Sequence, residues 1–112
     1  MRDCLFCKIR DREIPAEIIY EDHECLAFRD INPKAPVHFL VIPAEHIENL
    51  FDASSADEGL LGRIQLKIVE LAKEQKLDSG FRTVLNTGPG GFQEVYHMHY
   101  HVLGGGPFTG FN

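Results

Sequence analysis

Residues 97–103 read His-Met-His-Tyr-His-Val-Leu. Polar and apolar residues alternate with a period of two, the period of an extended strand, whose successive side chains point to opposite faces. The pattern predicts a strand over 95–103 with His97, His99 and His101 on one face. Met98, Tyr100 and Val102 take the other face, which reads as core. Three buried imidazoles would each need hydrogen-bond partners, so plain core packing explains them poorly; a solvated polar face is the other ordinary explanation. Two chemical readings compete. His-x-His on a strand is a good bite for a metal. A neutral imidazole is also a nucleophile near pH 7, because histidine titrates near ~6.5. Neighbouring members of the set lie about 6.5–7 Å apart along a strand, close enough to share a metal or a phosphate. The outer two, at about 13 Å, do not easily share one zinc, so the spacing predicts divided labour.

Outward from this strand, the rest of the chain supplies its partners. VHFLVI at 37–42 is a near-continuous apolar run ended by Pro43, which predicts a central strand buried on both faces. EIIYE at 17–21 and CLAFR at 25–29 predict two strands around the polar trio Asp22-His23-Glu24. Residues 30–36, with two prolines, predict a loop, and FRTVLNT at 81–87 predicts another strand. Ser55 and Glu58 have the spacing of a capping box. Leu60, Leu61, Ile64, Ile68, Leu71 and Ala72 follow at helical spacing, predicting a helix over 56–76 ended by Asp78-Ser79-Gly80. Short connections and one long helix favour an α+β fold with an antiparallel sheet over a βαβ array.

The 112 residues predict one domain, 1–112. Eleven basic and 17 acidic residues give a net charge of −6, which predicts no general attraction to nucleic acid or to an anionic membrane. The 44% apolar and 25% charged fractions exclude wholesale disorder. No run of 18 apolar residues offers a membrane span, and Met1-Arg2-Asp3-Cys4 does not open a signal peptide. Three cysteines argue against a disulfide framework, so the expected setting is reduced and cytoplasmic.

Four further features carry chemistry. Cys4-Leu5-Phe6-Cys7 suits one tetrahedral zinc completed by two more ligands; inert thiols are the alternative, and no βαβ pattern supports a redox motif. Cys25 reads as core. Gly88-Pro89-Gly90-Gly91 is either a tight turn or a loop whose amides approach phosphate. Asp30 ends a strand, where a carboxylate serves either a turn or two ribose hydroxyls. His38 lies on the neighbouring strand, either as a satisfied core histidine or as support for the histidine cluster.

HMHYHVL at 97–103, followed by Gly104-Gly105, resembles the signature of the histidine triad superfamily, in its nucleotide-binding branch. DINPKAPVHFLVIPAEHI at 30–47, NTGPGGFQEVYH at 86–97 and EIPAEIIYED at 13–22 are similar to that branch as well, so the resemblance spans about 4–106. It implies a histidine triad fold: an antiparallel sheet of about five strands, one long helix, a short N-terminal helix, and pairing as a homodimer with a continuous sheet. It also implies a purine nucleoside phosphoramidase that hydrolyses adenosine 5′-phosphoramidates and acyl-adenylates to AMP.

By that resemblance His99 is the nucleophile, forming a nucleotidyl-histidine with no metal required for catalysis. The main chain of His97 fixes its tautomer, His101 binds the phosphoryl oxygens or assists the leaving group, and His38 supports them. Asp30 takes the ribose and Ile31 the base, with Leu5, Phe6, Ile9, Ile14 and Phe28 as pocket walls. Asn86 and Gln93 are expected near phosphate or ribose. Phe92 and Glu94 occupy nucleotide-contact positions but depart from the branch: a glycine is usual at the first, and some members have a leaving-group serine at the second. In zinc-containing members the matching ligands are Cys4, Cys7, His46 and His97, a structural site. The tail 107–112 is expected to reach toward the partner's site. Other readings are a dinucleoside polyphosphate hydrolase, a nucleotide-binding regulatory module with incidental hydrolysis, and a metal protein whose triad holds the ion. Adenine and guanine are not distinguished, since apolar walls stack on either.

Overall fold

The apolar run at 37–42 forms the middle strand of a five-stranded sheet and is buried along almost its whole length. The structure is a computed structural model that describes residues 3–110. The sequence readings on Met1, Arg2, Phe111 and Asn112 lie outside the described residues. In chain order the elements are helix α1 (Leu5–Arg10), strands β1 (Ile18–Glu21), β2 (Cys25–Arg29) and β3 (Val37–Pro43), helix α2 (Glu58–Glu74), and strands β4 (Arg82–Leu85) and β5 (Tyr100–Gly104). The sheet order is β1-β2-β3-β5-β4, with every neighbouring pair antiparallel. The expected α+β architecture, with a short N-terminal helix and one long helix, is what the chain adopts.

The two faces of the sheet have different covers. Ala27, Phe39, Val41, Met98, Tyr100 and Val102 pack under Ile64, Ile68 and Leu71 of α2. Leu26, Phe28, Leu40 and Ile42 pack under Phe6 and Ile9 of α1. Alternation along β3 thus sends Phe39 and Val41 to one cover and His38, Leu40 and Ile42 to the other side, where α1 is only six residues long and leaves open space.

Three boundaries differ from the sequence reading. The capping box forms one residue earlier than expected: Ser54 accepts from Ala56 and Asp57 accepts from the Ser54 N–H, in place of Ser55 and Glu58. Both pairs have the required spacing; the earlier one starts a 3-10 turn (Ser55–Asp57) that leads into α2. The far end of α2 stops before the Asp78-Ser79-Gly80 stretch. Lys76 takes the left-handed conformation (φ 66°), and the N–H groups of Lys76 and Leu77 reach back to the carbonyls of Lys73 and Ala72, a Schellman ending.

The third correction concerns the strand predicted over 95–103. Regular pairing covers only Tyr100–Gly104: β4 ends at Leu85, opposite Tyr100, while β3 runs on to Pro43 paired with β2 alone. Residues 95–97 bend out of the sheet, and the lead-in is held by single contacts, such as Met98 N–H to the Ile47 carbonyl at 2.7 Å. His97 is therefore free of the sheet's alternation, and its ring joins a different cluster from those of His99 and His101. Among the described residues no helix is long and apolar enough to cross a membrane.

Candidate active site

Backbone groups assign proton positions to His99 and His38 near the open side of the sheet, and His38 in turn assigns that of His101. His99 Nδ1 lies 2.8 Å from the His97 carbonyl oxygen. A carbonyl can only accept, so Nδ1 carries the hydrogen and Nε2 keeps its lone pair. On the neighbouring strand, the Lys34 backbone N–H donates to His38 Nδ1 at 3.0 Å. The neutral His38 ring then holds its proton on Nε2, which lies 2.9 Å from His101 Nδ1 and 3.4 Å from Asp30 Oδ2. His101 Nδ1 accepts, which leaves its proton on Nε2. The pair arises from register: Leu40 lies opposite His101 and Leu103 opposite His38, so the two histidines are diagonal neighbours on one face.

Burial keeps these rings neutral. It pushes His101 down to about 4, and the neighbouring His99 and His38 rings disfavour its charge further. His99 and His38 also lie below the ordinary histidine range, again mainly through burial.

The histidines open onto a cleft of about 320 Å³ lined by Asp30, His38, Asn86, Phe92, Glu94, His99 and His101, with Phe6 and Val95. It adjoins a second, more apolar pocket of about 410 Å³ lined by Leu5, Phe6, Ile9, Ile14, Phe28 and Ile31. The two cavities share Phe6, Asp30, Leu40 and Val95. Phe6 stands edge-on to His99 at 5.0 Å and to Phe28 at 5.4 Å between ring centres. Ile31 is 91% exposed at the rim and Phe92 75% exposed at the cleft mouth. Asp30 does two jobs: Oδ1 accepts from the Asn32 N–H at 2.8 Å in a turn, while Oδ2 faces His38.

Gln93 is placed differently from the sequence expectation. It is buried behind the glycine turn and does not line the cleft. Its Oε1 accepts from Gly88 N–H and Asn49 Nδ2, and its Nε2 donates to the Glu48 and Val95 carbonyls. The amide's four hydrogen-bonding positions are filled, so this side chain shapes the loop and has nothing left for a ligand. Leu40, Val84, Val95 and Leu103 line the cleft without having been singled out from sequence, as does Lys34. Leu40 and Val95 each sit two residues from a flagged histidine, which was an available signal. The tautomer-setting N–H of Lys34 had none, because it belongs to the main chain.

His97 faces elsewhere. Its Nε2 donates to the Pro43 carbonyl at 2.8 Å, leaving Nδ1 with its lone pair. That atom lies 3.2 Å from Cys4 Sγ, 3.5 Å from Cys7 Sγ and 3.3 Å from His46 Nδ1. All four ligand atoms fall within 4.8 Å of one another. A tetrahedral zinc with bonds of about 2.0–2.3 Å sets its ligands about 3.3–3.8 Å apart, so the donor set fits that ion. Burial and the neighbouring Cys4 push the Cys7 thiol up to about 11 in the absence of metal. A bound cation would displace that proton. The three histidines of 97–101 thus do not converge on one point. Asp30, His38 and His101 are also close enough to hold a cation, but their nitrogens are already joined by a hydrogen bond.

The profile of the family described as scavenger mRNA decapping enzyme C-terminal binding matches residues 3–109. Protein HitA of Neisseria gonorrhoeae is 50% identical over 104 residues, covering 93% of this chain and 97% of its own. The chain belongs to the histidine triad family. The structure of a histidine triad family hydrolase from Legionella pneumophila is similar with a TM-score of 0.93 and 48% identity, covering 96% of both chains. A histidine triad nucleotide-binding protein from Candida albicans matches with a TM-score of 0.81 and 31% identity, over 98% of this chain and 87% of that one.

Proposed function

We propose that the protein is a purine nucleoside phosphoramidase that hydrolyses adenosine 5′-phosphoramidates and acyl-adenylates to AMP. The observation that carries the reading is the hydrogen bond from His99 Nδ1 to the His97 carbonyl, which leaves Nε2 unprotonated beside the cleft. The base occupies the apolar pocket, with Ile31 at its rim, and the ribose hydroxyls meet Asp30. The α-phosphoryl group sits between His99 and His101, within reach of Asn86. His99 Nε2 attacks phosphorus as the bond to the leaving nitrogen breaks. The His97 carbonyl stabilises the positive charge that develops on the ring, and the His101 Nε2–H binds a phosphoryl oxygen. The departing nitrogen takes up a proton and leaves as the amine. Water then cleaves the His99–phosphorus bond, releasing AMP and a neutral imidazole.

Zinc on Cys4, Cys7, His46 and His97 would be structural, with all four positions filled by protein. The chain acts as one domain over 1–112, in the cytoplasm, as a homodimer on a small-molecule nucleotide, without nucleic acid or membrane. A dinucleoside polyphosphate substrate is disfavoured by charge. Glu94 lines the triad cleft, and Asp3 and Glu48 line the groove beside it, so a polyphosphate leaving group would meet carboxylates. The test is AMP release from an adenosine phosphoramidate by the wild type and His99→Ala. Release by the wild type alone supports the reading, and no release by the folded wild type leaves a nucleotide-binding module.

A further inference from the structure

We infer that Cys4, Cys7, His46 and His97 are positioning residues for the nucleotide pocket: with zinc bound they hold α1 against the triad, so metal occupancy sets nucleotide affinity. The inference rests on the reading of the cleft and apolar pocket as a nucleotide site.

Helix α1 supplies both the cluster and the pocket. At six residues it is too short to be stable alone. Cys4 caps its N-terminus, accepting the Cys7 N–H at 3.2 Å, and both thiols face the cluster. Leu5 and Phe6 lie between them in sequence and wall the apolar pocket, with Phe6 against His99 as well.

The other two ligands come from separate segments. His46 follows β3, and its Nδ1 lies 3.4 Å from Cys7 Sγ. His97 precedes the nucleophile by two residues and holds its tautomer. One ion therefore ties α1, the segment after β3 and the lead-in to β5 at a single point.

Outside the cluster, the side-chain hydrogen bond from α1 to the body of the protein, among the described residues, is Arg10 Nη1 to the Ala44 carbonyl at 2.6 Å. It sits at the opposite end of the helix. Removing the ion leaves α1 tethered at Arg10 and through the packing of Phe6 and Ile9, but takes away the tie at its N-terminal end, where Cys4 precedes Leu5. Thiol–imidazole contacts of 3.2–3.5 Å replace coordinate bonds there. His46 is exposed and both cysteines are half-buried, so the site exchanges with solvent.

Coupling of this kind is reciprocal: whatever factor zinc adds to AMP affinity, AMP adds to zinc affinity. The test uses the full chain, zinc chloride and AMP. Calorimetry gives the AMP Kd for zinc-loaded protein, for protein stripped by a chelator and desalted, and for stripped protein given zinc back. The expected result is a Kd at least about fivefold weaker after stripping and restored with zinc, the lower end of typical coupling. A second arm titrates zinc-loaded protein with a chromophoric chelator, with and without saturating AMP. AMP should lower the zinc dissociation constant by the same factor. An AMP Kd unchanged within twofold, or a zinc equilibrium indifferent to AMP, overturns the inference. So does loss of the whole helical circular dichroism signal in step with zinc, which would make the ion a prop of the entire fold. Failure of zinc-loaded protein to bind AMP overturns the nucleotide reading itself and this inference with it.

Discussion

His97 and His99 are joined by a 2.8 Å hydrogen bond from a ring nitrogen to a carbonyl, and that bond divides their labour. The main chain of His97 accepts from the ring of His99, the proposed nucleophile, while its own ring turns away to the cysteines. One residue thus belongs to the candidate active site through its backbone and to the candidate metal cluster through its side chain. Changing the ring of His97 should disturb metal binding first. His97→Gln is expected to lower zinc content to well under one per chain, measured by elemental analysis of the folded protein, with AMP release less affected than in His99→Ala.

Stability should fall with acid in a defined window. The His101 ring is half-buried and held down to about 4, against 6.5 when unfolded. Between those values the unfolded chain binds the proton and the folded chain does not, so this site's stability is fully present above 6.5 and is lost as pH falls toward about 4. Urea midpoints at pH 7 and pH 5 should show the lower value at pH 5. His101→Asn should reduce the difference, with the remainder left to His38 and His99, which burial also holds down; an unchanged difference would show that His101 does not contribute to it.

Gln93 should matter to folding. Replacing it with alanine removes four hydrogen bonds and leaves the Asn49 amide and the Gly88 N–H without that acceptor. The expected cost is about 2–3 kcal/mol by denaturant unfolding, the size of one or two buried unsatisfied groups. A cost near zero would mean that the loop finds other partners.

Phe92 carries a left-handed backbone (φ 63°) with an exposed ring. Phe92→Val places a β-branched residue in that conformation and should destabilise by about 1–2 kcal/mol. Phe92→Gly should be nearly neutral, since relief of the left-handed strain offsets the entropy of an unfolded glycine. Thermal unfolding of the two variants separates these effects.

The parts of this molecule written in side chains were legible in the sequence. The apolar run at 37–42 and the helical stripe from Leu60 to Ala72 led to the correct sheet and helix, and alternation at 97–103 put Met98, Tyr100 and Val102 on the core face but wrongly grouped His97 with His99 and His101. The Cys-x-x-Cys pair led to His46 and His97 through family resemblance, and the four side chains do meet. What escaped was written in the main chain or in competition between equivalents. Ser54 and Ser55 offered the same capping spacing. β5 starts late because β4 ends opposite Tyr100 and residues 95–97 bend out of the sheet, neither of which the alternation at 97–103 carries. Lys34 and Pro43 set proton positions with backbone groups that any residue type would supply.

The account stands on His99 as the nucleophile. Mixing the protein with an adenosine phosphoramidate, quenching under conditions that preserve phosphorus–nitrogen bonds, and mapping the digest by mass spectrometry tests this directly. The predicted result is a transient adenylyl group on the peptide containing His99, absent in His99→Ala together with AMP release. AMP release at the wild-type rate by His99→Ala, or an adenylyl group trapped on another residue, would contradict it.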